Sequence, residues 1–510
     1  MTGDMAGGTI RTAAHKGPPP RHCIRRRQRD TAIHQIGETI TVTNDLTRGN
    51  PAKQILFFTI PLLIGNLFQQ FYSMADTMIV GRTIGVDALA AVGATGSLSF
   101  LIIGFSQGLT SGFAVITAQR FGAGDMDGVR KSVTSGILLS AGITVILTAV
   151  SVPLARPVLR LMQTPDNILD DAYAYIVVIF AGIGASVMFN LLSNIIRALG
   201  DSRTPLLFLA VACVLNVGLD FALILWCSMG VAGAAVATVI SQVVSGGLCM
   251  LYMIRRFPVL RLRKRDWIPE RKMLWNDARV GLPMGFQMSI IAIGSMILQI
   301  ALNRLGSTAI AGFIAAQKID QLANQPMMSF GITMATYAAQ NYGAGNMRRI
   351  RTGVRQCILM SVGFSLVSGV VLILAAKPLA GLFVGADQPE VPGYVQTYLL
   401  LNASMYFLLA LLFIFRYTLQ GLGKSLFPTI AGVAELLMRT LAAVVLANIW
   451  GYAGVCLSNP IAWLGALVPL TTAYVLTIRR LVRGADGIPP SVLPKEAAQM
   501  EEPAGGVPSP

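Results

Sequence analysis

Long stretches without a charged residue are the feature that most limits what this 510-residue chain can fold into. Asp, Glu, Lys and Arg are absent from residues 132–155, 221–254, 357–376 and 440–478. A helix that crosses a bilayer needs about 20 mostly apolar residues, so the last stretch is long enough for one full span and part of another. Apolar residues run continuously here and do not alternate with polar ones, which excludes a membrane β-barrel. The sequence predicts an all-α polytopic membrane protein.

Turns and charge clusters divide the apolar sequence into twelve predicted transmembrane helices. They cover residues 55–80, 88–117, 133–155, 168–197, 205–227, 231–254, 278–303, 309–338, 356–376, 395–420, 428–449 and 453–478. Cytoplasmic loops carry an excess of Lys and Arg. With both termini inside the cell, 32 of the 40 Lys and Arg fall in inner segments and 5 in outer loops. We therefore predict a multi-pass protein of the cell (cytoplasmic) membrane with both termini cytoplasmic. The net charge of +16 then needs no nucleic-acid partner.

The two halves of the chain repeat each other. "AQRFGAGDM" at residues 118–126 matches "AQNYGAGNM" at residues 339–347, and "LGDSRTP" at 199–205 matches "LGKSLFP" at 422–428. Six predicted helices separate equivalent points, and because six is even, the halves have the same orientation. A parallel repeat of this kind has a pseudo-twofold axis along the membrane normal, and its substrate path lies between the halves. The chain is predicted to form two pseudo-symmetric lobes of six helices.

Five segments follow from this division. Residues 1–48 form a basic cytoplasmic tail, 49–254 the N-lobe with helices 1–6, 255–276 a basic cytoplasmic linker, 277–483 the C-lobe with helices 7–12, and 484–510 a second tail. Both tails are poor in apolar residues and are predicted to be disordered.

These motifs resemble those of the multidrug and toxic compound extrusion (MATE) transporters, in particular the DinF-like branch of the MOP flippase superfamily. The resemblance covers roughly residues 50–480. It rests on "IPLLIGNLFQQFYSMADTMIVGR", the paired "FGAG" and "YGAG", "RALGDSRTP" with "QGLGKSLFP", and "LNVGLDFALI". It implies two six-helix lobes around a central cavity and the export of organic, often cationic, compounds in exchange for inward H⁺ or Na⁺. No cofactor is implied.

Polar residues in two predicted helices are the strongest candidates for function. "LNVGLDFALI" places Asn216 and Asp220 one helical turn apart, and "YSMADTMIV" contains Asp76. A charged Asp at mid-bilayer costs about 2.5–3.5 kcal/mol on insertion scales, and such residues usually face a cavity and mark an ion path. The residues alone leave an alternative open: Asp220 and Asn216 could only hydrogen-bond a neighbouring helix, and Asp76 could lie at the membrane surface.

The resemblance implies a role for each candidate. Those that match the first-lobe cation site, for H⁺ or alternatively Na⁺, are Asp76, Asn216, Asp220 and Thr238. Thr238 could instead bond back to its own helix. Those that match supporting polar positions of the cavity are Gln69, Tyr175 and Asn190. Pro61 matches the proline at which the first helix bends, and a proline permits a kink because it lacks a backbone donor.

The second lobe departs from the first. Alignment of the "LGDSRTP" and "LGKSLFP" motifs puts Arg439 opposite Asn216 and Ala443 opposite Asp220. Glu435 and Arg439 are spaced i, i+4 and are predicted to form a structural intramembrane pair. The Na⁺-coupled branch of the family has acidic residues in helices 7 and 10, and here residues 278–303 and 395–420 contain none. Coupling is therefore expected in the N-lobe, with H⁺ preferred over Na⁺.

The resemblance thus implies a secondary active antiporter that exports organic, cationic or amphiphilic compounds. The expected partners are small organic substrates, H⁺ or Na⁺ and the lipid bilayer, and we expect a monomer. An enzyme is disfavoured because no His lies in a predicted helix, which excludes imidazole catalysis and His-ligated metal from the membrane region. A lipid-linked saccharide flippase is an alternative, although such flippases often have fourteen helices and a strongly cationic cavity. A non-transporting receptor or scaffold would leave Asp76 and Asp220 unexplained.

Overall fold

The computed structural model describes residues 45–257, 260, 264–268, 270–303, 305–381 and 390–482. Most of the predicted tail 1–48, the whole tail 484–510 and part of the linker 255–276 lie outside the described residues. Within the described residues the secondary structure is helical and contains no strand. The fold is the all-α membrane architecture that the apolar stretches predict.

Twelve helices correspond to the twelve predicted spans. They are α1 Pro51–Thr83, α2 Val86–Gly122, α3 Met126–Leu161, α4 (the bent pair Asp166–Ala181 and Ile183–Ala198), α5 Arg203–Phe221, α6 Gly230–Arg256, α7 Arg271–Asn303, α8 Ser307–Gly343, α9 Met347–Leu374, α10 (the bent pair Val391–Ala403 and Tyr406–Gly421), α11 Leu426–Trp450 and α12 Tyr452–Val482. A π-helical turn, Ala222–Trp226, continues α5, a 3-10 turn spans Lys264–Trp267, and a short helix spans Ala376–Ala380.

One helix is less apolar than the others. Among the described residues, nine helices are long and apolar enough to cross a membrane, and α4 and α10 raise the number to eleven if each bent pair is one span. Helix α8 is 37 residues long, but it carries Lys318, Asp320 and several amide side chains, so its composition falls short. Its polar residues face other helices, as described below.

The sequence repeat extends to the backbone geometry. Helix α4 bends by 47° after Ala181, and α10 bends by 50° after the equivalent Ala403. Glycines with positive φ also recur in pairs, such as Gly124 (74°) with Gly345 (72°). L-amino acids with a side chain rarely adopt this conformation, so the "FGAG" and "YGAG" motifs encode the same turn in both lobes.

Helix α1 belongs to the N-lobe in sequence but packs against both lobes. In its first half, Ile55 and Phe58 are fully buried in the same apolar cluster as Tyr337 and Leu419 of the C-lobe. Near its end, Val80 is buried among N-lobe residues that include Ala234. The helix therefore connects the core of one lobe to the core of the other.

Candidate functional site

Two carboxyl groups touch each other inside the N-lobe. Asp76 lies in the last third of α1 and Asp220 is the penultimate residue of α5. The side chains are within hydrogen-bonding reach of each other; Asp220 is fully buried and Asp76 is 8% exposed. Among the described residues, neither forms an ion pair with Lys or Arg, and Oδ1 of each is buried without a hydrogen-bond partner. Because two charged carboxylates in contact repel each other, the pair has room for one shared proton.

Three neighbours hold this pair in place. With its amide nitrogen towards Asp220, Asn216 donates to Oδ2 at 3.0 Å and accepts from the backbone N–H of Thr238 at 3.2 Å. In the other amide orientation the nitrogen lies 3.3 Å from Thr238 Oγ1, and Asp220 loses this donor. The hydroxyl groups of Tyr72, one turn before Asp76, and Thr238 are 3.2 Å apart. The structure brings together all four residues of the implied cation site and adds Tyr72.

The backbone next to Asp220 is irregular. The five-residue π-helical turn Ala222–Trp226 begins two positions after this carboxylate. Such turns are uncommon and are often found at functional sites.

A cavity lies between the lobes beside the acidic pair. The part beside the acidic pair is called the outer part, after the predicted topology; it encloses about 580 Å³ and includes Asp76, Tyr72 and Tyr175 in its wall. Its inner part encloses about 170 Å³ and includes Pro61, Arg197, Met284, Met288 and Tyr417. Both parts are lined by Asn66, Gln69, Gln107, Phe189, Asn190, Leu209 and Met328, so they are continuous. Asp76 faces the outer part, whereas Asp220 lies behind it.

The three supporting residues implied by the resemblance line this cavity. Gln69 on α1 and Asn190 on α4 border both parts, and Tyr175 borders the outer part. Asn190 donates to the carbonyl oxygen of Ser186 at 2.9 Å, which holds its amide on the wall. The ring of Tyr175 packs against the N-lobe cluster that contains Val80.

Pro61 lies in the inner wall, and α1 runs through it as one uninterrupted helix. The bend implied at this residue stays a prediction, because a helix that continues through a proline can still be kinked there. Proline still removes one backbone hydrogen bond from the helix. Because Pro61 is 15 residues before Asp76, the weak point lies about four turns from the acidic pair.

Hydrogen bonds tie α1 to α8 of the opposite lobe. They join Thr59 Oγ1 to Thr333 Oγ1 at 2.8 Å, Asn66 Nδ2 to Ser329 Oγ at 3.0 Å, and Gln70 Nε2 to Gln321 Oε1 at 3.4 Å. These contacts account for part of the polar surface of α8. They also link the helix that carries Asp76 to the C-lobe.

A buried carboxylate of the C-lobe was missed by the sequence analysis. Asp320 on α8 is 8% exposed, and it accepts hydrogen bonds from Tyr406 Oη at 2.6 Å and Asn324 Nδ2 at 2.8 Å. The available signal was its position within the predicted helix 309–338. Unlike Asp76 and Asp220, it contacts no carboxylate of the described residues, and its charge is compensated by hydrogen-bond donors.

The predicted pair in α11 has a third member. Glu435 Oε1 lies 2.8 Å from Arg439 Nη2, and its Oε2 lies 2.5 Å from Arg416 Nη2 on α10. The i, i+4 spacing predicts the first contact only, because the second depends on how two helices pack. A carboxylate held by two guanidinium groups is neutralised where it stands, which is the arrangement of a structural cluster.

The donor atoms at Asp76 and Asp220 are chemically suitable for a proton or a hard cation. Carboxylate, amide and hydroxyl oxygens are the ligands that hard cations prefer. Among the described residues, no group of three or more His, Cys, Asp and Glu side chains could hold a metal ion.

Comparison with known proteins gives a consistent result. The MatE family model matches residues 61–222 and 283–445, one segment in each half of the repeat. The chain is 29% identical over 386 residues to a probable multidrug resistance protein, YpnP, of Bacillus subtilis, which covers 75% of this chain and 85% of that protein. It is 24% identical over 419 residues to a FAD transporter of Shewanella oneidensis, which covers 80% of this chain and 91% of that protein.

The fold also matches a solved structure. The outward-facing conformation of a multidrug resistance MATE family transporter of the MOP superfamily superposes with a TM-score of 0.80 at 26% identity. The match covers 87% of this chain and 99% of that one.

Proposed function

The chain belongs to the MatE family of multidrug efflux transporters, and on this premise we propose that it is an antiporter that exchanges inward H⁺ for outward organic cations and amphiphiles. The observation that carries the proposal is the contact between Asp76 and Asp220 beside the cavity. It supplies a site where a proton and a positively charged substrate compete.

The competition follows from charge. When the pair holds a proton, one carboxyl group donates to the other and the net charge is reduced to one. When the proton leaves, two negative charges face each other, and an organic cation in the outer cavity is attracted to Asp76. A proton that returns from the outer side lowers the net charge of the pair from two to one and weakens its attraction for that cation. Substrate release and proton uptake are thereby linked at one site.

We infer that α1 carries this change to the C-lobe. Its last third bears Asp76, and its earlier turns are hydrogen-bonded to α8 through Thr59 and Asn66. Repulsion between two charged carboxylates pushes the end of α1 away from α5. Pro61 allows the helix to yield between Thr59 and Asn66, so the bonds of Asn66 and Gln70 to α8 lie on the segment that moves with Asp76.

The direct contact favours H⁺ over Na⁺. A proton can lie between two oxygens at hydrogen-bonding distance, whereas Na⁺ needs the carboxyl groups to move apart so that it can be coordinated by both. The oxygen donors of Asn216 and Thr238 would complete a Na⁺ site after such a movement, which makes Na⁺ the second candidate.

The remaining properties are proposed on charge and composition. The distribution of Lys and Arg supports both termini in the cytoplasm and a location in the cell membrane. The apolar and Met-rich wall suits amphiphilic substrates of varied shape. The Shewanella relative named as a FAD transporter suggests that cargo in this range of similarity is not restricted to cations.

Transport by purified protein in proteoliposomes tests the proposal. Uptake of a lipophilic cation such as ethidium would be compared under an imposed pH gradient and an imposed Na⁺ gradient, for the wild type, Asp76→Asn and Asp220→Asn. We expect wild-type transport with the pH gradient and loss in both variants. Transport driven only by Na⁺ would select the second candidate, and wild-type rates in Asp220→Asn would refute the coupling role of the pair.

A further inference from the structure

A positive charge stands at the inner end of the cavity. Arg197, in the last turn of the second half of α4, lines the inner part, and it is the charged residue among the described residues of that wall. Its Nε donates to the carbonyl oxygen of Ser193 at 3.2 Å. Among the described residues, no carboxylate forms an ion pair with it and no protein acceptor binds its two terminal amino groups. These groups are open to the cavity.

Arg197 is partly buried, whereas the fully buried Arg residues of the described chain have carboxylate partners. Arg120 lies 2.6 Å from Asp125, and Arg416 and Arg439 both bind Glu435. A buried charge without a partner is unfavourable. Arg197 has no such partner and is partly exposed to the cavity, so its terminal amino groups leave hydrogen-bonding capacity for a molecule that enters.

The surrounding side chains form a polar floor. Asn194, one turn before Arg197 on the same face, donates to Thr110 Oγ1 and Ser111 Oγ, both at 3.3 Å. Gln107 borders both parts of the cavity. The position equivalent to Arg197 in the C-lobe, at the offset of 223 residues, is Gln420. Its amide also lines the floor and donates to Gln287 at 2.8 Å, so the described part of the floor has a cation on one side only.

The cavity consequently has two charged ends. Asp76 is the charged residue of its described outer wall and Arg197 that of its described inner wall. Asn190, which borders both parts, precedes Arg197 by seven residues, which is about 10 Å along a helix. Arg197 therefore lies about two helical turns from the part of the wall that both parts of the cavity share, and Met284, Met288 and Tyr417 provide apolar surface for the body of a substrate.

We propose that Arg197 forms an anion-binding subsite, and that the preferred substrates carry a carboxylate or phosphate at one end of an apolar body. This rests on the proposed transport function and specifies its substrate class. The best substrate is a zwitterion, because its anionic group binds the guanidinium in bidentate fashion while its cationic group lies towards Asp76. Arg at the inner end of a membrane helix can instead anchor the helix at the lipid surface, and the experiment distinguishes the two roles.

A pair of dyes that differ in one group provides the test. Rhodamine B carries a carboxylate beside its xanthylium cation, and its ethyl ester carries the cation alone. Binding of each dye to the purified full chain in nanodiscs is measured by fluorescence anisotropy at fixed pH without any ion gradient. We expect the wild type to bind rhodamine B about tenfold more tightly than the ester. A tenfold difference in affinity corresponds to about 1.4 kcal/mol, which is comparable to the contribution of one charge-assisted hydrogen bond.

Variants assign the preference to Arg197. In Arg197→Gln the ratio of the two affinities should fall to near one, and in Arg197→Lys part of it should remain because the charge is kept without the bidentate geometry. Arg203→Gln is the matched control: this residue is exposed at the start of α5, and its loss should leave the ratio at the wild-type value. All variants are compared as monodisperse protein. If Arg197→Gln does not fold, the affinity ratio in Arg197→Lys, which should lie below the wild-type ratio, provides the test.

Two outcomes would overturn the proposal. One is a wild-type protein that binds both dyes equally, and the other is a preference that survives in Arg197→Gln, as an anchoring role predicts. The result is independent of the antiport mechanism, because the dye ratio is measured at equilibrium. A wild type that prefers rhodamine B but does not transport the ester under a pH gradient would refute the coupling and retain the subsite.

Discussion

Gln119 and Gln340 occupy equivalent positions of the repeat, and each donates a hydrogen bond to the opposite lobe. Gln119 Nε2 binds the carbonyl oxygen of Gly421 at 2.8 Å, and Gln340 Nε2 binds that of Ala198 at 2.8 Å. The acceptors are themselves equivalent, at the offset of 223 residues. Ala118, Ala198 and Gln420 border the inner cavity beside these bonds, so the crossing closes the cavity at this end.

Removal of both amides should loosen this closure. Each hydrogen bond contributes about 0.5–1.5 kcal/mol, so Gln119→Leu with Gln340→Leu is expected to raise the open population about fivefold to a hundredfold. The measurement is the rate at which an impermeant maleimide labels Ser111→Cys from the side of the "FGAG" and "YGAG" turns, in an otherwise cysteine-free chain. Gln396→Leu, at an exposed position of α10, is the control, and an unchanged rate in the double variant would exclude a role in closure.

Close packing of the glycines beside Gln119 and Gln340 should also be required for closure of the cavity. A Cβ at Gly343 would collide with the backbone oxygen of Gln119, and one at Gly122 with that of Gln340. Gly343→Ala therefore cannot close as the wild type does, and we expect labelling of Ser111→Cys to increase at least tenfold. Gly363→Ala is the matched control on α9, because a Cβ there meets open space and alanine favours a helix. Equal labelling in both glycine variants would contradict the structural argument.

Binding of an organic cation should strengthen as the pH rises. A proton on the Asp76–Asp220 pair competes with the cation, so loss of that proton lowers the dissociation constant, by up to about tenfold per pH unit while the pair titrates. At higher pH the affinity becomes constant because no proton is left to displace. Isothermal titration of ethidium in buffers of different ionisation enthalpy should show one proton released per cation bound, and Asp220→Asn should lose this release. A pH-independent affinity in the wild type would argue against competition.

Glu435 should be required for stability and not for coupling. Glu435→Gln leaves two buried guanidinium groups without a carboxylate, which is expected to cost about 3–5 kcal/mol. Arg439→Gln leaves Glu435 paired with Arg416 and should cost less. Because of this second partner, Glu435→Gln with Arg439→Gln still contains one unpaired charge, and recovery needs Arg416→Gln in addition. The midpoint of thermal unfolding in detergent gives the order of stability of these variants. A Glu435→Gln protein that is fully stable but does not transport would instead place Glu435 in the coupling mechanism.

The sequence was sufficient to predict the helices and their duplication, because both depend on the residue types within short stretches of the chain. Uncharged stretches mark the spans, and the paired turns at Gly124 and Gly345 mark the repeat. The structure places Asp76, Asn216, Asp220 and Thr238 together, as the family resemblance implied, and their role in coupling stays a prediction.

Contacts that depend on the rotation of one helix against another could not be predicted. In a membrane protein, lipid-facing and core-facing surfaces are both apolar, so periodicity does not reveal which face of a helix points inward. Arg197, the last residue of the predicted helix 168–197, was therefore given no role, although it lines the cavity. Arg416 and Tyr72 were missed for the same reason, since their partners Glu435 and Thr238 lie on other helices.

The attachment of α1 to both lobes has a consequence for biosynthesis. Thr59 and Thr333 are separated by 274 residues, so at a synthesis rate of about 5–20 residues per second the partner of α1 emerges roughly 15–55 s after α1 itself. During that interval Ile55 and Phe58 lack the C-lobe residues that bury them in the finished protein. The first helix to enter the membrane is thus among the last to be fully packed, and the boundary between the lobes in sequence is not a boundary between folding units.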